Sequence, residues 1–268
     1  MRYYRNRFPY SNGYHRHHHH HRHQWTGPIL VAVLIGVVLA FIAMPATVFY
    51  AIGDFLGMWT DKGDTVGSDN LIHGIDVSRY QGEINWQQVA NENVISFAYI
   101  KATEGSDLTD SRFADNFKGA REVGLRVGAY HFLSDKSNMR DQFENYRRHV
   151  PKSKLDLLPM VDVEESGVGR WSAAQIQDSL AVFCQLVKDH YGKLPIIYTY
   201  SNFYNDYLYE HFHNYSLFIA NYNHYPNIKG AGQHNIWQKS ERGRINGIHG
   251  YVDLDVLSNG TTLDDIAL

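Results

Sequence analysis

Residues 71–268 alternate short apolar runs with helix-periodic stretches five times, then add three further apolar runs with little helix between them. The runs are LIHGIDVS (71–78), ISFAYIKA (95–102), LRVGAYHFL (125–133), LLPMVDVE (157–164) and PIIYTY (195–200), followed by LFIANY (217–222), NIWQKS (235–240) and YVDLDVL (251–257). The intervening helices are expected from Asn85, over 111–123 with Gly124 as stop, over 138–150, from the N-cap Ser172 to Gly192, and near 203–209. Apolar strands that alternate with helices argue for an α/β fold with a parallel sheet covered by helices. Eight strands are enough to close a barrel.

The residues before this body are different in kind. Met1 to Gln24 hold five arginines, seven histidines and no acid, and residues 28–52 then run 25 positions without a charge. About 20 apolar residues span a bilayer core, so this stretch is long enough to cross. It is also longer than the apolar part of a cleaved signal peptide. Arginines before it and Asp54 after it orient the N-terminus inward. The expectation is a basic cytoplasmic tail (1–27), a transmembrane helix (28–52), a Gly- and Asp-rich linker (53–70) and a globular body (71–268). That is a single-pass type II protein of a bacterial inner membrane, with its body on the extracytoplasmic, periplasmic side. The His-rich patch His15–His23 reads as part of the cationic juxtamembrane tail.

Without that tail, 20 basic face 28 acidic side chains, a formal −8. Such a body is a poor partner for nucleic acid, which requires basic patches. The single cysteine, Cys184, lies on the apolar stripe Ile176, Leu180, Phe183, Val187 and reads as a small buried hydrophobe. The body offers no His/Cys set at zinc spacing and no calcium loop, so neither metal nor cofactor is expected.

In a barrel of this kind the chemistry sits where the strands end. Those ends carry Asp76, Lys101 with Glu104, Tyr130 with His131, Asp162 with Glu164, Tyr198, Tyr222, Trp237 with Gln238, and Asp253. Asp162 and Glu164 are the most informative. Two apart on a strand, they share a face with Cα atoms about 6.5–7 Å apart. At that range one proton is held more tightly, leaving a protonated acid beside an ionised one. Cleavage of a glycosidic bond needs such a pair, and rim aromatics suit the apolar faces of sugars. His131 reads more simply as a hydrogen-bonded structural histidine.

The segments HGIDVSRYQGEINW (73–86), YIKATEGSD (99–107), GLRVGAYHF (124–132), LPMVDVE (158–164), LPIIYTY (194–200), LFIANY (217–222), IWQKSERGRINGI (236–248) and VDLD (252–255) together resemble glycoside hydrolase family 25, the Chalaropsis-type lysozymes or N-acetylmuramidases. The resemblance implies an irregular (β/α)5β3 TIM-like barrel that cleaves the β-1,4 bond between N-acetylmuramic acid and N-acetylglucosamine in peptidoglycan glycan strands. It makes Glu164 the general acid and Asp162 the group that orients the substrate's acetamido group or supports the oxocarbenium centre. Asp76 and Asp253 match two further acidic positions. Tyr130, Tyr198, Tyr222, Trp237, Lys101 and Glu104 are the expected saccharide contacts. The family's final motif commonly reads VDLN; here Asp255 replaces the Asn, and would raise proton affinity nearby if it faced inward. Two alternatives stay open: a chitinase-like N-acetylglucosaminidase, although the fuller DxxDxDxE pattern is missing, and a non-catalytic peptidoglycan-binding module. A membrane tether would favour remodelling of the cell's own wall.

Overall fold

The computed structural model describes residues 63–67, 71–91, 94–230, 234–258 and 260–268. The chain divides into two units, Met1–Asp61 and Lys62–Leu268, and all the described residues belong to the second. The span expected over 28–52 and its basic tail lie outside the described residues. Within those residues, no helix is long and apolar enough to cross a membrane.

The eight expected strands all form: β1 (His73–Val77), β2 (Ile95–Glu104), β4 (Arg126–Phe132), β5 (Met160–Asp162), β6 (Ile196–Tyr200), β7 (Leu217–Ala220), β8 (Ile236–Gly243) and β9 (Val252–Leu257), with a two-residue β3 (Leu108–Thr109) added beside β2. The pairing order is β1-β9-β8-β7-β6-β5-β4-β2, and β1 also pairs with β2, so eight strands close on themselves. Each pair from β1–β2 round to β7–β8 is parallel, while β9 runs antiparallel to both β8 and β1. The last turn of the sheet reverses because only eight residues separate β8 from β9, too few for a crossover helix.

The helices fill the crossovers: α1 (Trp86–Asn91), α2 (Phe113–Glu122), α3 (Met139–His149), α4 (Glu165–Val168) and α5 (Ala173–Tyr191). α5 begins with a capping box, Ser172 accepting from the Gln175 backbone while Gln175 answers to the Ser172 backbone. It ends at Gly192 with φ 89°, a left-handed position that a residue with a Cβ resists. The helix expected near 203–209 is broken into α6 (Ser201–Phe203), a π-helical turn over Tyr204–Leu208, and α7 (Tyr209–Phe212).

Two apolar cores result. One lies between sheet and helices and includes Ile75, Ile100, Val161, Leu180, Phe183 and Cys184. Cys184 is buried there, its thiol pushed up by desolvation. The other fills the barrel, with Phe97, Tyr99, Met160, Ile196, Phe218 and Leu257. His131 belongs to the outer layer. It is hydrogen-bonded to Thr103 Oγ1 at 2.8 Å and Gln142 Oε1 at 3.1 Å, and stacks on Phe183. Burial lowers its pKa to about 4, so it stays neutral.

Part of the stretch expected as linker is seated on the body. Asp64 bridges to Gly243, its backbone N–H donates to the Arg242 carbonyl, and Ser240 Oγ donates to its carboxylate at 2.5 Å.

Candidate active site

The parallel strands all deliver their last residues to one rim, where a cavity of about 180 Å³ is lined by Asp76, Asp162, Glu164, Asp253, Glu241, Tyr130, Tyr198, Tyr200, Tyr222, Gln238 and Met160. All four acids meet there, three from the ends of parallel strands and Asp253 from the start of the antiparallel β9. β5 as a strand stops at Asp162, yet the backbone stays extended. The Val163 N–H donates to the Tyr198 carbonyl, and Glu164 sits at φ −134°, ψ 157° as the N-cap of α4. Strand alternation persists for those two residues, so Val163 is buried outward while Asp162 and Glu164 both face the cavity.

Asp76 and Asp253 come together by register, directly opposite each other on β1 and β9. They share a hydrogen bond, which requires one carboxyl to be protonated. Burial is the largest cause of the rise in both. Asp76 is pushed up to about 6, partly restrained by its hydrogen bond from Gln238; Asp253 is pushed up to about 9, with Asp76 and Glu241 as nearby charges. Asp253 therefore holds the proton and Asp76 accepts it. Burial also raises Asp162 and Glu164. Glu164 is moderated by the Ser166 hydroxyl, which donates to Oε2 at 3.0 Å, and by Lys101. Asp162 Oδ1 is buried without a hydrogen-bond partner among the described residues.

Lys101 is the cation that acts on both of these acids. Its ammonium pairs with Glu104 at 2.9 Å and lies 4.6 Å from the Phe132 ring centre. It lines a second cavity of about 190 Å³, which shares Asp76, Tyr130, Asp162 and Asp253 with the first. Glu104 lines neither cavity and reaches the site through Lys101.

Two placements differ from the sequence reading. Trp237 does not line the acidic cavity. Its indole N–H donates to the Asn221 carbonyl at 2.8 Å, and its ring meets Tyr225 edge-on. Period-two alternation along β8 explains this: Ile236, Gln238 and Ser240 are the buried set, and Trp237 takes the opposite face. Gln238 is the residue that faces in. Its Nε2 donates to Asp76 Oδ2 at 2.7 Å, and its Oε1 accepts from the hydroxyls of Tyr198 at 2.9 Å and Tyr222 at 2.8 Å. One amide thus ties β1, β6 and β8 together with the turn after β7. Tyr200 is likewise a lining residue that the reading left out, although IIYTY puts it two positions from Tyr198 and hence on the same face.

Asp255 faces inward. It is fully buried on β9 with both oxygens unpartnered among the described residues, and burial, then Asp76 and Asp253, raise its pKa well above the carboxylate range. A carboxyl so placed is neutral. No group of His, Cys, Asp and Glu among the described residues is arranged to hold a metal ion.

The geometry has close counterparts. The family model for glycosyl hydrolases family 25 matches residues 75–248. The chain is 40% identical over 195 residues to the protein YegX of Escherichia coli (strain K12), covering 71% of this chain and 70% of YegX. It is 35% identical over 188 residues to the autolytic lysozyme of Clostridium acetobutylicum, 70% of this chain and 56% of that one. A solved family 25 glycosyl hydrolase from Bacillus anthracis superposes with TM-score 0.69 at 32% identity, covering 75% of this chain and 96% of that chain. An eight-stranded closed barrel, acids gathered at one rim and a family match over well over half the sequence agree: the protein belongs to glycosyl hydrolases family 25 and is a glycoside hydrolase.

Proposed function

We propose that the protein is a muramidase that cleaves the β-1,4 bond between N-acetylmuramic acid and N-acetylglucosamine in peptidoglycan. The observation that carries the reading is the common cavity of Asp162 and Glu164, which Asp76 and Asp253 also line. The similarity to a clostridial autolytic lysozyme adds weight.

Glu164 is the general acid. Burial raises its proton affinity, and it is the more accessible of the pair. It protonates the glycosidic oxygen as the bond to C1 breaks, and the developing positive charge at C1 is supported from Asp162. Asp162 Oδ1, buried and unpartnered, is an acceptor for the substrate's acetamido N–H. The Gln238 amide and the Asp76–Asp253 pair hold this charge pattern in place, and Tyr130, Tyr198 and Tyr222 offer ring faces and hydroxyls to the saccharide. Water then completes the reaction at C1, its proton leaving to a carboxylate. The anomer of the first-formed product, read by NMR, distinguishes direct attack by water on C1 and ring closure by the acetamido oxygen.

The test is digestion of purified peptidoglycan by the full-length protein, with mass spectrometry of the reducing ends. Muramic acid at the new reducing end is expected; N-acetylglucosamine there would favour the chitinase-like alternative. Glu164→Gln is expected to lower the rate by about 10²–10⁴. A variant as fast as wild type would remove Glu164 from the role.

The uncharged 28–52, preceded by five arginines, supports a second proposal: the enzyme is tethered to a bacterial inner membrane with its body outside, and remodels the wall of its own cell. Recovery of the intact N-terminus from a membrane extract by mass spectrometry tests the tether.

A further inference from the structure

The trough does not end at the acids. Tyr200 and Tyr222, with rings edge-to-face at 6.0 Å and hydroxyls 3.4 Å apart, form a partition between the acidic cavity and a second cleft of about 420 Å³. This cleft lies between the turns that follow β6 and β7, and its chemistry is unlike that of its neighbour. No carboxylate and no ammonium lines it. Five asparagines do: Asn202 and Asn205 after β6, and Asn221, Asn223 and Asn227 after β7.

The five divide by what their amides already do. Asn221 Oδ1 accepts from the backbone N–H groups of Asn223 at 3.2 Å and His224 at 3.4 Å, and its Nδ2 donates to Ser201 Oγ at 3.3 Å. Asn205 Oδ1 accepts from the Lys229 N–H at 2.7 Å, and its Nδ2 donates to the Asn227 carbonyl at 3.1 Å. These two residues fasten the turns to each other. The backbone frame of the cleft is therefore built in advance, which leaves only side chains to order when a ligand arrives. Asn202, Asn223 and Asn227 are exposed, and their side-chain amides make no hydrogen bond among the described residues. Three donor–acceptor groups thus face an open cleft whose one titratable side chain besides the tyrosines is His224.

A side-chain amide matches a peptide group donor to acceptor and acceptor to donor. A pyranose is usually held on an aromatic face; beyond the Tyr200–Tyr222 partition the one ring lining this cleft is the small imidazole of His224, and amides make up most of the rest. Its volume exceeds that of a single acetamido group several-fold. On the muramidase reading, on which this inference rests, the substrate carries one amide-rich substituent beside its sugars, the peptide on the lactyl group of muramic acid. We propose that the asparagine cleft is a subsite for this stem peptide, so that the enzyme prefers peptide-bearing glycan to bare glycan.

The experiment uses the full-length protein and two soluble, uncrosslinked glycan preparations of equal chain length. One keeps its stem peptides, and the other has been stripped at the lactyl amide. Wild type is expected to show kcat/KM about tenfold higher on the peptide-bearing strands, the order that two amide hydrogen bonds supply. In the double variant Asn202→Ala/Asn223→Ala that ratio is expected to fall toward one. A ratio unchanged in the variant overturns the proposal, including the case where both substrates slow equally, as they would for a saccharide subsite or a loosened turn. Equal rates on the two substrates by wild type overturn the subsite alone. No digestion of either overturns the muramidase reading and the subsite with it.

Discussion

Gln238 does more to shape the acidic centre than any residue beyond the acids themselves. Its two ends are chemically distinct, and the tyrosine hydroxyls occupy the oxygen, so the Nε2 must point at Asp76. That donated bond favours the ionised form of Asp76 and leaves the proton of the Asp76–Asp253 pair on Asp253. Lys101 plays the comparable part for the other pair, since its charge lowers the proton affinity of both Asp162 and Glu164. A general acid works only while protonated, so the basic limb of the pH–rate profile follows its pKa. Lys101→Met removes the cation and leaves Glu104 unneutralised, and both changes raise that pKa. The basic limb of kcat/KM is therefore expected to move upward by about half a unit to one unit. A limb that stays put or moves down would separate Lys101 from the titration of the pair.

The strands show how tightly the barrel interior is filled. Gly128 on β4 pairs across from Tyr99 on β2, and a Cβ built on Gly128 would lie 2.3 Å from the Tyr99 ring. That ring cannot swing away, because it is fully buried, packs against Phe97 and Phe218, and donates its hydroxyl to the Leu158 carbonyl. Overpacking of this kind costs about 1–3 kcal/mol. Gly128→Ala is expected to lower the thermal midpoint by roughly 2–4 °C for each kcal/mol, read by calorimetry. Gly74 and Phe97 repeat the arrangement between β1 and β2. Small residues are thus placed where large rings from the neighbouring strand need the space, which is how a closed eight-stranded sheet reaches interior packing density.

Across the molecule, the acidic rim makes stability fall as pH rises. Asp76, Asp162, Asp253 and Asp255 all have folded-state pKa values above those of the unfolded chain. Between the unfolded value near 3.9 and the raised folded values, the folded state binds more protons, so raising the pH favours unfolding. For Asp76 that window closes at about 6 and for Asp253 at about 9. Asp255 is the group to test, being buried beneath the others with no partner to hold. Asp255→Asn is expected to leave the thermal midpoint near pH 4 unchanged and to raise it by a few degrees at pH 8, flattening the slope. An unchanged slope would show that Asp255 carries no part of it.

The barrel was legible in the order of the residues because strand and helix periods are local, and eight apolar runs with five helical crossovers leave few other closures. Asp76, Asp162 and Glu164 were legible for the same reason, since parallel strands must end on one rim; Asp253 reaches that rim from the start of the antiparallel β9. Strand alternation also marked Asp162 and Glu164 as a pair, and it persisted past the end of β5 because the backbone stayed extended through Glu164. The same alternation could have turned Trp237 outward once Gln238 was placed inward, but the phase of a strand depends on its neighbours in the sheet and not on its own residues. Register across β1 and β9 set Asp76 opposite Asp253, and the meeting of two turns 20 residues apart in sequence made the asparagine cleft. Neither could be read from spacing. Local chain geometry specifies which residues share a face; which faces meet depends on closing the sheet, a contact between segments far apart in the chain.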